Sequence, residues 1–398
     1  MMRTIGTQVR GIRAPIVKNG DDIVDVVVTS LQKSWEAEGF QLKEKDVVGI
    51  TESLVARAQG NYVTVDEIVT DLKNRFQGCG EIGVVFPILS RNRFSIILKA
   101  ISKAFDKVYL QLSYPADEVG NHLMDVDKMD ELNINPYTDS LSEKEYRKLF
   151  GQEVKHPFTG VDYVKEYKEV GNDDNIEIVL SNDPTTILNY TQNILVADVH
   201  TRYRTEKVLK KNRANKVLRL DGICTEATAD NTGYNPEYGL LGSNKATGDS
   251  IKLFPRHGKE YVDKIQMKIK GLTGKNIEVL IYGDGAFKDP VGKIWELADP
   301  VVSPAYTDGL EGTPNELKLK YLVDNNLTEV DVEQIDHHAK EFIKKKDNNL
   351  IGKMEAQGTT PRQLTDLLGS LCDLTSGSGD KGTPIILIQG YFDNFATD

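Results

Sequence analysis

The sequence predicts an α+β fold whose core is interrupted by an inserted α/β domain. Three observations lead there. Residues 1–61 mix a β-rich opening with helical periodicity, and residues 62–212 alternate short apolar runs with helix-length segments. Residues 213–398 then return to mixed character and close on one apolar strand. At about 150 residues per domain, 398 residues allow two or three domains.

In the first part, "GDDIVDVVVTSLQKSW" opens on Asp21 and Asp22, which suit a helix N-terminus, and its apolar positions Ile23, Val26, Val27 and Leu31 fall on one helical face. "KDVVGITESLVARAQG" gives a strand from Val47 to Ile50 that runs into Thr51, Glu52 and Ser53. The middle part predicts a helix over 64–76, strands over 82–88 and 108–112 with a helix over 94–105 between them, and a strand over 176–180. A helix from Pro184, a strand over 194–199 and a basic helix over 205–212 follow. Strands alternating with helices of this length imply a partly parallel sheet. The last part predicts a helix over 258–271, a strand over 277–281, several helices beyond 309, and a closing strand over 385–389.

Bulk composition excludes several classes. A net charge of -11 argues against nucleic acid as a partner. No apolar run approaches the roughly 20 residues needed to cross a bilayer, and the opening is polar and basic, so no membrane association is expected. Cys79, Cys224 and Cys372 are too far apart for a disulfide framework or an obvious zinc site, as in a reduced, cytoplasmic protein.

Several motifs could carry chemistry. "GCGEIG", Gly78 to Gly83, matches a dinucleotide fingerprint literally but in reversed order, helix before strand, and reads as a connection. The adjacent His337 and His338 point in different directions on a helix and read as a solvated face. "SGSGDKGTP", Ser376 to Pro384, is either a flexible linker or a phosphate loop with Lys381. "SRNRFS" (Ser90 to Ser95) offers a capped helix start with Arg91 and Arg93, and "DVHTRYR" (Asp198 to Arg204) puts Asp198, His200, Arg202 and Arg204 at a strand end. Two acidic loops rank above these. "TEATADNTG" holds Glu226 and Asp230, and "LIYGDGAF" sets Asp284 between two glycines at a strand end. Hard cations such as Mg²⁺ take carboxylate oxygens and share their shell with substrate phosphates, so both loops are candidate metal sites. Asp-Gly is also a common turn.

Four stretches in order, "VRGIRAPIVKNGDDIVDVV" with "LKEKDVVGITESLVARAQG", "DGICTEATADNTG", "KLFPRHGKEYVDKIQMKIKGLTGKNIEVLIYGDGAF" and "TDLLGSLCDLTSGSGDKGTPIILIQGY", resemble the coenzyme F-420 gamma-glutamyl ligase family. The resemblance implies an intertwined α+β core of 1–61 and 213–398, a homodimer, and insertions at 62–212 and about 312–355. It implies a GTP-dependent enzyme (ATP being the alternative nucleotide) that adds glutamate or another amino acid to a carboxylate-bearing small molecule through an acyl phosphate. It makes Asp230 and Asp284 ligands for Mg²⁺ or Mn²⁺, with Glu226 a weaker candidate, and sets Thr51, Glu52, Ser53 and Arg57 along the nucleotide. Ser53 stands where the family has a lysine, Arg57 where it has a second, and Gly285 where it has a threonine. A non-catalytic protein binding an anionic ligand on the same scaffold is the rival expectation.

Overall fold

The computed structural model describes all residues except 1–3, 158, 172–173, 228–232, 284–285, 289–294, 298–301, 357–362, 377–379 and 398. The chain opens with strand β1 (Gln8–Ile12), helix α1 (Ile23–Glu38), strand β2 (Val47–Thr51), helix α2 (Glu52–Ala58) and strand β3 (Tyr62–Thr64). Helix α1 starts where Asp22 accepts hydrogen bonds from the backbone N–H groups of Val24 and Asp25, and it stops at Gly39, whose φ of 68° few other residues tolerate.

Next come helix α3 (Val65–Arg75), β4 (Glu81–Val85), α4 (Arg93–Ala104), β5 (Lys107–Leu112) and α5 (Val126–Glu131). They are followed by β6 (Leu141–Ser142), α6 (Glu143–Phe150), α7 (Tyr163–Val170), β7 (Ile176–Leu180), β8 (Asn193–Val196), α8 (Arg202–Lys211) and β9 (Lys216–Arg219). Their six strands form one sheet in the order β6-β7-β5-β4-β8-β9, parallel throughout except for β6. In chain order the five parallel strands run 3-2-1-4-5, a doubly wound arrangement whose direction of travel reverses between β4 and β8. Helices α4 and α7 pack together on one face, while α8 and a 3-10 turn over Pro184–Asn189 cover the other. This sheet reaches Arg219, past the expected boundary at 212. The polar stretch after β5, which the sequence left unassigned, holds α5, α6 and α7.

The remainder contains β10 (Asn244–Lys245), β11 (Ser250–Lys252), α9 (Gly258–Thr273), β12 (Glu278–Gly283), the hairpin β13 (Ala286–Lys288) and β14 (Trp295–Leu297), and β15 (Val302–Tyr306). Helices α10 (Leu319–Asn325), α11 (Ile335–Lys344) and α12 (Leu364–Ser376) precede the closing strand β16 (Ile385–Gln389). A five-stranded mixed sheet, β1-β16-β2-β12-β15, joins the two ends of the chain. Side-chain alternation sorts it cleanly. Val48, Ile50, Val279, Ile281, Ile385 and Leu387 face one core with α1 and α9, and Val47, Leu280, Tyr282, Ile386 and Ile388 face another with α12. Each fully buried aliphatic side chain here contributes about 1.5–3 kcal/mol. Gly49 lets α12 approach, since a Cβ there would lie 2.3 Å from Cys372 Sγ. Helices α10 and α11 pack on each other around Leu322, Leu327 and Ala339. Among the described residues no helix is long and apolar enough to cross a membrane.

Candidate active site

Strands β2 and β12 run parallel, with Tyr282 paired to Thr51, so their carboxyl ends lie side by side. Helix α2 begins directly at the end of β2. This brings Glu52, only 4% exposed, against Gly283, where a Cβ would meet Glu52 Cγ at 2.4 Å. Asp284 is the next residue of the chain after Gly283, and it lies outside the described residues.

Two residues that the sequence did not flag complete this corner. Lys252, at the end of β11, donates to Ser53 Oγ and stands 3.9 Å from Glu52 Oε2, with its side chain 12% exposed. Asn244 Nδ2 donates to Glu52 Oε1 at 3.4 Å. Antiparallel pairing of Lys252 with Tyr62 holds β11 beside the segment that follows α2. An ammonium group therefore stands next to Ser53, whose own side chain carries no charge. Sequence spacing gave no signal for this, because residues 199 positions apart meet only through the β3–β11 pairing.

Asn61 fixes the rest of the corner. It is fully buried, and its amide nitrogen donates to the carbonyls of Tyr234 and Phe254 at 3.1 and 2.7 Å. Its Oδ1 accepts from Tyr234 N and Arg256 Nη1 at 3.1 and 3.0 Å, which fills the capacity of an amide side chain. Gln59 exchanges two hydrogen bonds with the backbone of Arg256, at 2.7 and 2.8 Å. Arg256 in turn lies over the Tyr234 ring, 4.6 Å from its centre. Its guanidinium is therefore committed to holding the loop together. Gly233 completes the contact: a Cβ there would lie 1.8 Å from the Tyr62 carbonyl oxygen.

Both acidic loops thus have one described edge on the same short segment, Gly283 on Glu52 and Gly233 on Tyr62. Asp230 itself lies outside the described residues, as Asp284 does. Of the other expected site residues, Thr51 is half-buried and its N–H donates to Pro384 O at 3.1 Å. Arg57 is exposed on the last turn of α2. Glu226 is exposed, and its neighbour Thr225 accepts from Arg75 of α3 at 2.8 Å. Among the described residues no hydrogen bond or ion pair links Glu226 to Thr51–Arg57.

Two of the remaining motifs have structural duties. The fingerprint-like glycines join α3 to β4, and a Cβ at Gly83 would collide with Ile187 and Ile194. Ser90 Oγ accepts from the N–H groups of Asn92 and Arg93, capping α4. His337 and His338 are exposed and half-buried respectively on α11, and His338 pairs its Nδ1 with Gln334 O. Lys381 is exposed, and 377–379 of its loop lie outside the described residues.

The model of the F420-0:Gamma-glutamyl ligase family matches residues 11–390. The chain belongs to that family. The match runs through the six-stranded and the five-stranded sheets, so the ligase family model spans the doubly wound unit as well as the five-stranded core. A comparison with curated proteins gives no match.

Proposed function

We propose that this member of the ligase family is a nucleotide- and divalent-metal-dependent amide ligase joining glutamate, or another amino acid, to a small carboxylate through an acyl phosphate. The observation that supports this most is the anchoring of both acidic loops on the segment from Glu52 to Tyr62, beside Lys252. A carboxylate is a poor electrophile. In this reading one of its oxygens attacks the γ-phosphorus of GTP or ATP, and the nucleoside diphosphate leaves. The amine of the amino acid then attacks the acyl carbon, loses a proton and expels inorganic phosphate.

Among the described residues no group of three or more His, Cys, Asp or Glu could hold a metal, so the metal set in this proposal has to draw on Asp230 and Asp284. Glu52, buried against Gly283, is the described carboxylate next to it, and Glu226 is the weaker candidate. Bound Mg²⁺ or Mn²⁺ would offset phosphate charge. The chain's own part is electrostatic. Lys252 supplies the cation that Ser53 does not, held in place by Ser53 Oγ and Glu52, and Arg57 offers a second charge from α2. Thr51 and Ser53 present hydroxyls at the same strand end. The proposal retains a homodimer.

The departures at Ser53 and Gly285 favour the rival, a non-catalytic binder of an anion. Lys252 weighs against it, because the missing charge is restored in space. The deciding experiment measures phosphate release from GTP and ATP with Mn²⁺, L-glutamate and a pool of carboxylate metabolites. Turnover that needs both metal and amine, and that falls at least about a hundredfold in Lys252→Met, supports the ligase. An absence of nucleotide turnover with every acceptor, combined with joint indifference to nucleotide and Mn²⁺ in thermal unfolding, contradicts it.

A further inference from the structure

The doubly wound sheet carries a second corner that the ligase reading does not use. At the end of β4 the chain reverses its direction of travel across the sheet, and in such sheets ligands settle outside the carboxyl ends of the strands at that point. Val85 pairs with Gln111 of β5 on one side and with Val196 of β8 on the other. Beyond it, Phe86 N donates to Gln111 O and Ala197 N donates to Val85 O, after which the strands part. Phe86 itself takes a φ of 55° and packs, half-buried, on the face covered by α8 and Pro184–Asn189.

Two buried acceptors flank Phe86 on that face. Gln111 is fully buried; its Nε2 donates to the carbonyls of Ser181 and Asp183 at 3.1 and 2.7 Å, which fixes the amide orientation and leaves Oε1 without a partner. Asp198, two residues past Val196 and 1% exposed, accepts from Thr201 and Thr205 on Oδ2 at 2.5 and 2.9 Å, and its equally buried Oδ1 has no partner. An unmet buried acceptor costs about 1–3 kcal/mol. Glu118 adds a second acidic group, which accepts from the N–H groups of Val199 and His200. The Arg202 guanidinium is already engaged with Asp221 and Val199 O.

We infer that this switch point binds a small organic cation carrying N–H donors, an alkylammonium or a guanidinium, between Asp198 Oδ1 and Gln111 Oε1 over Phe86. Both open groups are acceptors, so the ligand must bring donors, and the carboxylates select a positive one. The site is independent of the ligase reading.

Isothermal titration of the full chain with putrescine and with L-arginine tests it, with choline (charge without N–H) and ribitol (donors without charge) as comparisons. Putrescine or arginine is expected to bind, with affinity at least about tenfold weaker in Asp198→Asn and in Gln111→Met, and unchanged in Asp284→Asn. Circular dichroism confirms that each variant is folded, and two variants guard against the loss of one. Binding that survives in both variants, choline or ribitol titrating as tightly, or no heat from either cation, which would leave only a resident water, overturns the assignment. Loss in Asp284→Asn alone would place the amine in the ligase corner instead.

Discussion

At the residue scale the ligase corner depends on how little room Gly283 leaves. Replacing it with alanine would put a Cβ 2.4 Å from Glu52 Cγ, and Glu52, being buried, has to shift. Gly283→Ala is expected to cost about 1–3 kcal/mol in urea unfolding and to lower nucleotide turnover disproportionately, because the displaced carboxylate also positions Lys252. A loss of stability with turnover intact would separate Glu52 from the chemistry. Glu118 gives a pH signature. Burial pushes its carboxyl up to about 7, opposed by backbone hydrogen bonds from Val199 and His200 and helped to a lesser extent by the neighbouring charges of Asp198 and Asp117. Asp117 and Asp198 are raised by burial as well. A raised acid holds its proton better when folded, so stability is highest below the unfolded value near 4.5 and falls as pH rises toward 7. Glu118→Gln is expected to flatten part of that fall when melting temperature is followed from pH 4.5 to 7.5. An unchanged profile would remove Glu118 from the linkage.

Elements show why some of this was legible and some was not. Helix α1 and strands β2, β12 and β16 declare themselves through an acidic cap, unbroken apolar runs and flanking glycines, and all fall close to their expected bounds. Strand β9 and helices α5 to α7 did not, because they are short and rich in charge. Their apolar anchors Met129, Tyr146, Tyr163, Tyr167 and Val217 are too sparse to set a period. Glu52 was legible as a strand-end acid, whereas Lys252 and Asn61 were not, since their partners lie far away in sequence. Asn61 makes the sharper test. Asn61→Ala strands the Tyr234 carbonyl and two N–H groups, while Phe254 O keeps its bond from Asn235 Nδ2, and is expected to destabilise by about 2–4 kcal/mol by chemical denaturation. A change below about 0.5 kcal/mol would mean that the Gly233 edge is held by something else.

On the scale of the whole molecule the small sheet β10-β11-β3 shares a core with the doubly wound sheet. Val63 of β3 and Ile251 and Leu253 around β11 belong to the same apolar cluster as Ile82, Val84 and Leu98 of the doubly wound unit. Joining residue 61 directly to 213 would therefore uncover Ile223, Ile251 and Leu253 and remove the strand that aligns Lys252. Such a chain is expected to be insoluble or to lack a cooperative melt, and a soluble, cooperatively melting product would show that the unit is dispensable.

Everything proposed for catalysis converges on Asp230 and Asp284 acting together on one cation beside a nucleotide. Electron paramagnetic resonance of Mn²⁺ in the presence of a non-hydrolysable GTP analogue reads this without needing the carboxylate substrate. Wild-type protein is expected to take up Mn²⁺ in a nucleotide-dependent way, and Asp230→Asn and Asp284→Asn are each expected to lose it. Equal uptake by wild type and both variants, or uptake indifferent to nucleotide, would contradict the proposal.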